Sequence, residues 1–192
     1  MRTPSFYVVL CQGFAAFALL VSPASTVSNG AAPLPFEHHV ENMEPGMCWF
    51  CCVETIGYAQ GRKDTQQLRN KALITGIGAG GASEQHKAYW QKRAGFTISE
   101  VSRHYWMIHR RLQARQHIIA TVSPWSSEDK RAHALVLVNC TAQRQEDHTN
   151  AGRFANDYWV TYFDPNHPGS LNRMPWAEFA KIFIRAEVLL EE

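Results

Sequence analysis

This chain lacks a strong charge. Its 192 residues carry 19 Lys and Arg against 17 Asp and Glu, a formal net charge of +2. No electrostatic partner is implied. The basic residues are scattered, and Arg110-Arg111 sits in a helix-like pattern rather than a patch, so nucleic acid is not an expected partner. Cysteine is scarce, at five residues, too few to form the main scaffold of a domain this size. Long hydrophobic runs are missing: the apolar residues at 6–10 and 13–21 are broken by Gln12, too short and interrupted for a membrane span. There are no repeats and no low-complexity tract. The glycines of 76–81 do not follow a strand in a phosphate-binding pattern and read as a flexible loop. What is abundant is aromatic side chain, with six tryptophans, which suits a well-packed, enzyme-like domain.

The first residues read as an export signal. Arg2 is a short basic start, an apolar middle follows, and Ser22-Pro23-Ala24 supplies the small residues a signal peptidase reads. The expected organisation is a signal over 1–24, a Ser/Pro/Ala/Gly-rich linker over 25–37, and one domain over 38–192. Cys11 lies inside the apolar stretch, so no lipid-attachment cysteine is placed correctly. After cleavage the chain is expected to be secreted or periplasmic, monomeric, and without stable membrane association. About 165 residues remain, enough for one domain with a real core.

Periodicity divides that domain in two. Helical spacing is expected over 48–60, with Gly61 as a stop. Asp64 reads as an N-cap with Gln67 three residues on, before a helix through Leu73. Ser83 caps a further helix to about residue 92, and Ser99 another, whose inward stripe is Val101, Tyr105, Ile108 and Leu112. After residue 116 strands take over, at 117–122, 134–138 and 158–163. A short helix over 176–182 follows Pro175, and 186–190 is a last strand. Helices first and mainly antiparallel strands afterwards is an α+β arrangement.

Within the stretch Gly46-Met47-Cys48-Trp49-Phe50-Cys51-Cys52, Cys48 opens the first helix. A thiol there meets unpaired backbone N–H groups and the positive end of the helix dipole, which favour the nucleophilic thiolate. Of nine histidines, His133 stands apart. It immediately precedes the most apolar run of the chain, held at a strand end yet open to a cleft. Asp164 ends the strand over 158–163. If that strand pairs antiparallel with 134–138, His133 and Asp164 share a sheet edge, and the carboxylate can orient the imidazole.

Three pieces in this order, Cys48-Trp49, His133-Ala134-Leu135-Val136-Leu137-Val138 and Tyr162-Phe163-Asp164-Pro165, closely resemble the papain-like cysteine peptidases. The likeness is strongest to a compact bacterial branch with Asp-Pro as the third element, and it spans about residues 40–190. It implies a helical half packed on an antiparallel sheet with a cleft between. It implies Cys48 as nucleophile, His133 as general base and acid, Asp164 as orienter, a protein or peptide substrate, and no cofactor or metal. The family places a Gln before the nucleophile to complete the oxyanion hole; Asn42 occupies that position here. Ala132 stands where a Gly is usual.

Other readings stay open. Cys48-Trp49-Phe50-Cys51 is formally a redox C-x-x-C, although a linker rather than a strand precedes it. Zinc on Cys48, Cys51 and Cys52 lacks a second ligand pair. A binding module of the same fold, with Asn42 as a sign of decay, is another alternative. Cys51 and Cys52 read as small core residues, one of them available to Cys140 for a disulfide.

Overall fold

A computed structural model describes residues 34–124, 132–146 and 154–190. The expected signal, and the expected linker up to residue 33, lie outside the described residues. The core already includes Leu34, followed by a 3-10 turn over Phe36–His38. Among the described residues no helix is long and apolar enough to cross a membrane.

Among the described residues, five α-helices and six strands make an α+β fold. The helices are α1 (Cys48–Ala59), α2 (Leu68–Thr75), α3 (Glu84–Ala94), α4 (Tyr105–Gln113) and α5 (Trp176–Ile182). The strands are β1 (Ile98–Val101), β2 (Ile118–Val122), β3 (His133–Glu146), β4 (Phe154–Phe163), β5 (Leu171–Pro175) and β6 (Phe183–Leu189). They form one sheet in the order β1-β6-β2-β3-β4-β5, every neighbouring pair antiparallel.

The continuous apolar run of β3 has a direct cause. Ala134, Val136 and Val138 face the core that contains α1, while Leu135 and Leu137 face a second core with α4 and α5. A strand covered on both faces has no polar side to alternate with. The β3–β4 register slips between Leu137 and Asn139. That bulge carries Cys140 onto the α4 side. Simple alternation would have left it beside Ala134. The expected option of a disulfide from Cys140 to Cys51 or Cys52 is therefore excluded: the sheet separates them, and all four described cysteines are free.

Three expectations about local structure are corrected. Ser99 does not cap a helix; it lies in β1, paired with Val188, and α4 begins only at Tyr105. Asp64 does not cap α2, because Arg62 holds it. The start of α2 is served from α1 instead, where the buried Glu54 carboxylate accepts from the Gln67 N–H at 2.8 Å and the Arg69 N–H at 3.1 Å. These are the donors every helix start leaves unsatisfied. β5 was not expected at all; it is a short edge strand with mixed exposure and so carries no clear alternation.

A buried ion pair ties α3 to β6. Lys87 Nζ donates to Glu187 Oε1 and Oε2 at 2.9 and 3.1 Å, and both side chains are under a tenth exposed. Trp49 Nε1 donates to the same carboxylate at 3.0 Å. Removing one partner of such a pair leaves an uncompensated charge in the interior. Lys87→Met is expected to destabilise the fold by ~3–5 kcal/mol. The double variant Lys87→Met/Glu187→Gln should recover a large part of that loss, both read from urea unfolding midpoints.

Candidate active site

The turn into α1 is built from glycine. Gly46 has φ +83°, and a Cβ there would lie 2.3 Å from the carbonyl carbon of Gly80 and 2.5 Å from the Gly81 nitrogen. Only a residue without a side chain adopts that φ cheaply and admits the second backbone. The loop 76–81 was expected to be flexible, yet it is packed here: Gly78 lies against the Phe50 ring closely enough that a Cβ would come within 2.5 Å of it. The turn delivers Cys48 as the first residue of α1. Its own N–H consequently has no acceptor within the helix.

The sheet supplies the other groups. His133 opens β3, and Asp164 directly follows β4. Their antiparallel pairing, with Val136 opposite Phe163, brings the start of one strand beside the end of the other. His133 Nε2 lies 2.7 Å from Asp164 Oδ1. Cys48 also acts electrostatically on the His133 ring, whose Nδ1 is the nitrogen left over by the bond to Asp164. The next backbone N–H of β3, that of Ala134, donates to Cys48 Sγ at 3.3 Å. Sulfur, imidazole and carboxylate, which the sequence separates widely, are thus brought together at one sheet edge.

Asn42 stands at the same place. With Asn166, His133, Cys48 and Glu44 it lines a cleft of about 550 Å³. Its main-chain N–H donates to Pro165 O at 2.8 Å, and its Nδ2 donates to Asn166 Oδ1 at 2.7 Å. A side-chain amide carries two N–H groups, so this bond occupies one and leaves the other. Asn166 and His167, from the loop after Asp164-Pro165, also belong to the site although no catalytic sequence pattern marks them. The Asn166 N–H donates to Asp164 Oδ1 at 2.9 Å, and His167 Nδ1 lies 3.1 Å from Oδ2. The available signal was the order Asp164-Pro165-Asn166-His167, since Asp at the first position of a turn bonds backbone two residues on.

A second cleft of about 460 Å³ meets the first at Gly46, Cys48, Ala132 and His133. Gly80, Gly81, Thr121, Ile184, Trp49 and Lys87 are also among its lining. Glu84 and Arg185 pair with each other there. The candidate centre therefore lies where two clefts meet. Cys51 and Cys52 point away from both: Cys51 Sγ bonds Glu41 O at 3.5 Å, and Cys52 is completely buried. Among the described residues no three His, Cys, Asp or Glu are grouped as metal ligands. Among the described residues α1 is preceded by a 3-10 turn rather than a strand, unlike the βαβ setting a redox C-x-x-C calls for.

The electrostatics favour a charged imidazole. Burial by itself lowers the His133 pKa, but the hydrogen bond to Asp164, the interaction with the Cys48 side chain and the charges on both outweigh it, raising the pKa to about 9. Burial pushes Asp164 up; the bonds from His133, the Asn166 N–H and His167 prevail and hold it below its ordinary value. Desolvation raises Cys51 and Cys140 to about 12, and Cys52 well above its usual range, so these three remain thiols at neutral pH.

These shifts set a sign. His133 is raised, so its contribution to stability is complete below its ordinary 6.5 and is lost as pH rises through about 9. Asp164 is lowered, so its contribution is complete above its ordinary 3.8 and is lost as pH falls through the folded value. NMR titration of the His133 ring should give a midpoint near 9, moved down in Asp164→Asn. Urea unfolding should show the stability advantage of the wild type over Asp164→Asn shrinking above pH 6.5. No protein-family model matches this chain, and no curated protein matches it.

Proposed function

We propose that this protein is a papain-like cysteine peptidase acting on peptide or isopeptide bonds. One observation carries the reading: Cys48 at a helix N-terminus accepts from the Ala134 N–H at 3.3 Å, directly beside His133, whose Nε2 lies 2.7 Å from Asp164. The helical segment against an antiparallel sheet, with two clefts that meet at Cys48, agrees with the architecture the resemblance implies.

The chemistry follows from the roles. The Cys48 thiolate attacks the substrate carbonyl carbon, and the carbonyl electron pair moves to oxygen. The Cys48 N–H and the remaining N–H of Asn42 Nδ2 receive that oxyanion. His133, as imidazolium, gives its proton to the leaving amine as the C–N bond breaks, leaving a thioester on Cys48. Neutral His133 then takes a proton from water, the hydroxide adds to the thioester, and the acid product departs with return of the thiolate. Asp164 keeps Nε2 of the ring engaged, so that Nδ1 faces sulfur. Another amine in place of water would make the same centre an amide transferase. In the cell we place the protein outside the cytoplasm, on the signal-like residues 1–24.

A second reading has a specific observation behind it. Asn42 Nδ2 is already engaged by Asn166, as it would be in a binding module that retains the cleft without turnover. Labelling separates the two. Iodoacetamide should modify Cys48 far faster than Cys51, Cys52 or Cys140, and His133→Ala should slow it; equal rates at all four, read by peptide mass spectrometry, would remove the enzyme. Cys48→Ala should abolish cleavage of a mixed peptide library while leaving the unfolding midpoint within ~1 kcal/mol of wild type, as expected at a site that only loses one sulfur. Asn42→Ala should lower kcat by ~10²–10³, the usual loss of one oxyanion donor, with Cys48 labelling retained.

A further inference from the structure

Asp164 is one carboxylate with an imidazole on each oxygen. Oδ1 takes His133 and the Asn166 N–H; Oδ2 takes His167. The two rings differ sharply in setting. The His133 side chain is 9% exposed, whereas that of His167 is 74% exposed, and Asp164 between them is 10% exposed. The peptidase chemistry uses the first ring and gives the second no part.

The backbone explains why His167 arrives there. Its N–H donates to Asp164 O at 2.9 Å, closing a four-residue turn across Pro165 and Asn166. The same turn presents Pro165 O and Asn166 Oδ1 to Asn42. A carboxylate rotates in a broad torsional well, so one held oxygen does not fix its plane. A donor on the second oxygen does. Nδ1–H is retained by the imidazolium and by one tautomer of the neutral ring, so the contact survives in both protonation states. The titratable groups around this carboxylate are His133 and His167, which bond it, and Cys52 and Tyr162, which feel its charge.

We propose that His167 is a positioning residue. It donates from Nδ1 to Asp164 Oδ2 and fixes the carboxylate plane that aims His133 at Cys48. The consequence for turnover rests on the peptidase reading; the clamp itself does not.

The test compares the full chain with His167→Ala and His167→Asn. The Asn amide nitrogen occupies roughly the place of Nδ1, so it keeps the donor and discards the ring. Two quantities are read: the rate of Cys48 alkylation by iodoacetamide at neutral pH, and the NMR titration midpoint of the His133 ring. His167→Ala should slow alkylation about threefold to thirtyfold, the scale of one lost hydrogen bond to a charged group with partial solvent access. It should also lower the His133 midpoint, with circular dichroism at neutral pH showing the fold retained. His167→Asn should return both quantities to within about twofold of wild type, since it restores that bond. Wild-type values for both in His167→Ala would overturn the proposal, as would an Asn variant no better than Ala. A His133→Ala arm keeps the two claims apart. If that change leaves Cys48 alkylation untouched, the peptidase reading fails, while the His133 midpoint in His167→Ala still decides the clamp.

Discussion

The pairing of β3 with β4 is the constraint from which the rest of the site follows. Because the strands are antiparallel, the first residue of one lies beside the chain leaving the other. His133 and Asp164 are therefore neighbours whatever the far end of the hairpin does. The backbone of β3 then adds a contact of its own, the Ala134 N–H on Cys48 Sγ, which docks the start of α1 on the same strand. One strand thus sets where all three groups lie.

Close approach on the helical side depends on missing side chains. Gly46 meets Gly80 and Gly81 backbone to backbone, and this contact joins the α1 turn to the loop that walls the cleft. Beneath it the Glu187 carboxylate gathers Trp49 and Lys87, so α1, α3 and β6 share one buried charge. Such a network contributes little net stability against an apolar replacement, because desolvation offsets the attraction. Its consequence is geometric: the residue after Cys48 is held by a directed bond, and the sulfur is held with it.

A second organising unit is the turn over 164–167. Its carboxylate serves His133, its carbonyl and amide oxygens serve Asn42, and its last residue returns to the carboxylate. The candidate oxyanion donor and the candidate orienter are consequently not independent. A shift of this turn moves both, which couples the position of Asn42 to the alignment of the imidazole.

Much of this was readable in the residues. The amphipathic run after Cys48, the apolar block after His133 and the Asp-Pro pair after β4 each carry a local period or turn preference, and local rules suffice for them. The α2 cap was not readable, because its acceptor is Glu54 on another helix rather than Asp64 nearby. Cys140 was not readable either, since a bulge reverses the face that alternation assigns it. Nor was the second partner of Asp164, because a polar turn looks the same whether or not its histidine bends back. By itself the sequence determined α1, α3 and the central strands β2, β3 and β4, and which residue types stand at their ends, as these depend on neighbours along the chain; the short edge strands β1 and β5 it did not. Only the tertiary structure decided which of those ends meet, because strand register, backbone contact through glycine and hydrogen-bond partners are set between segments remote in the chain.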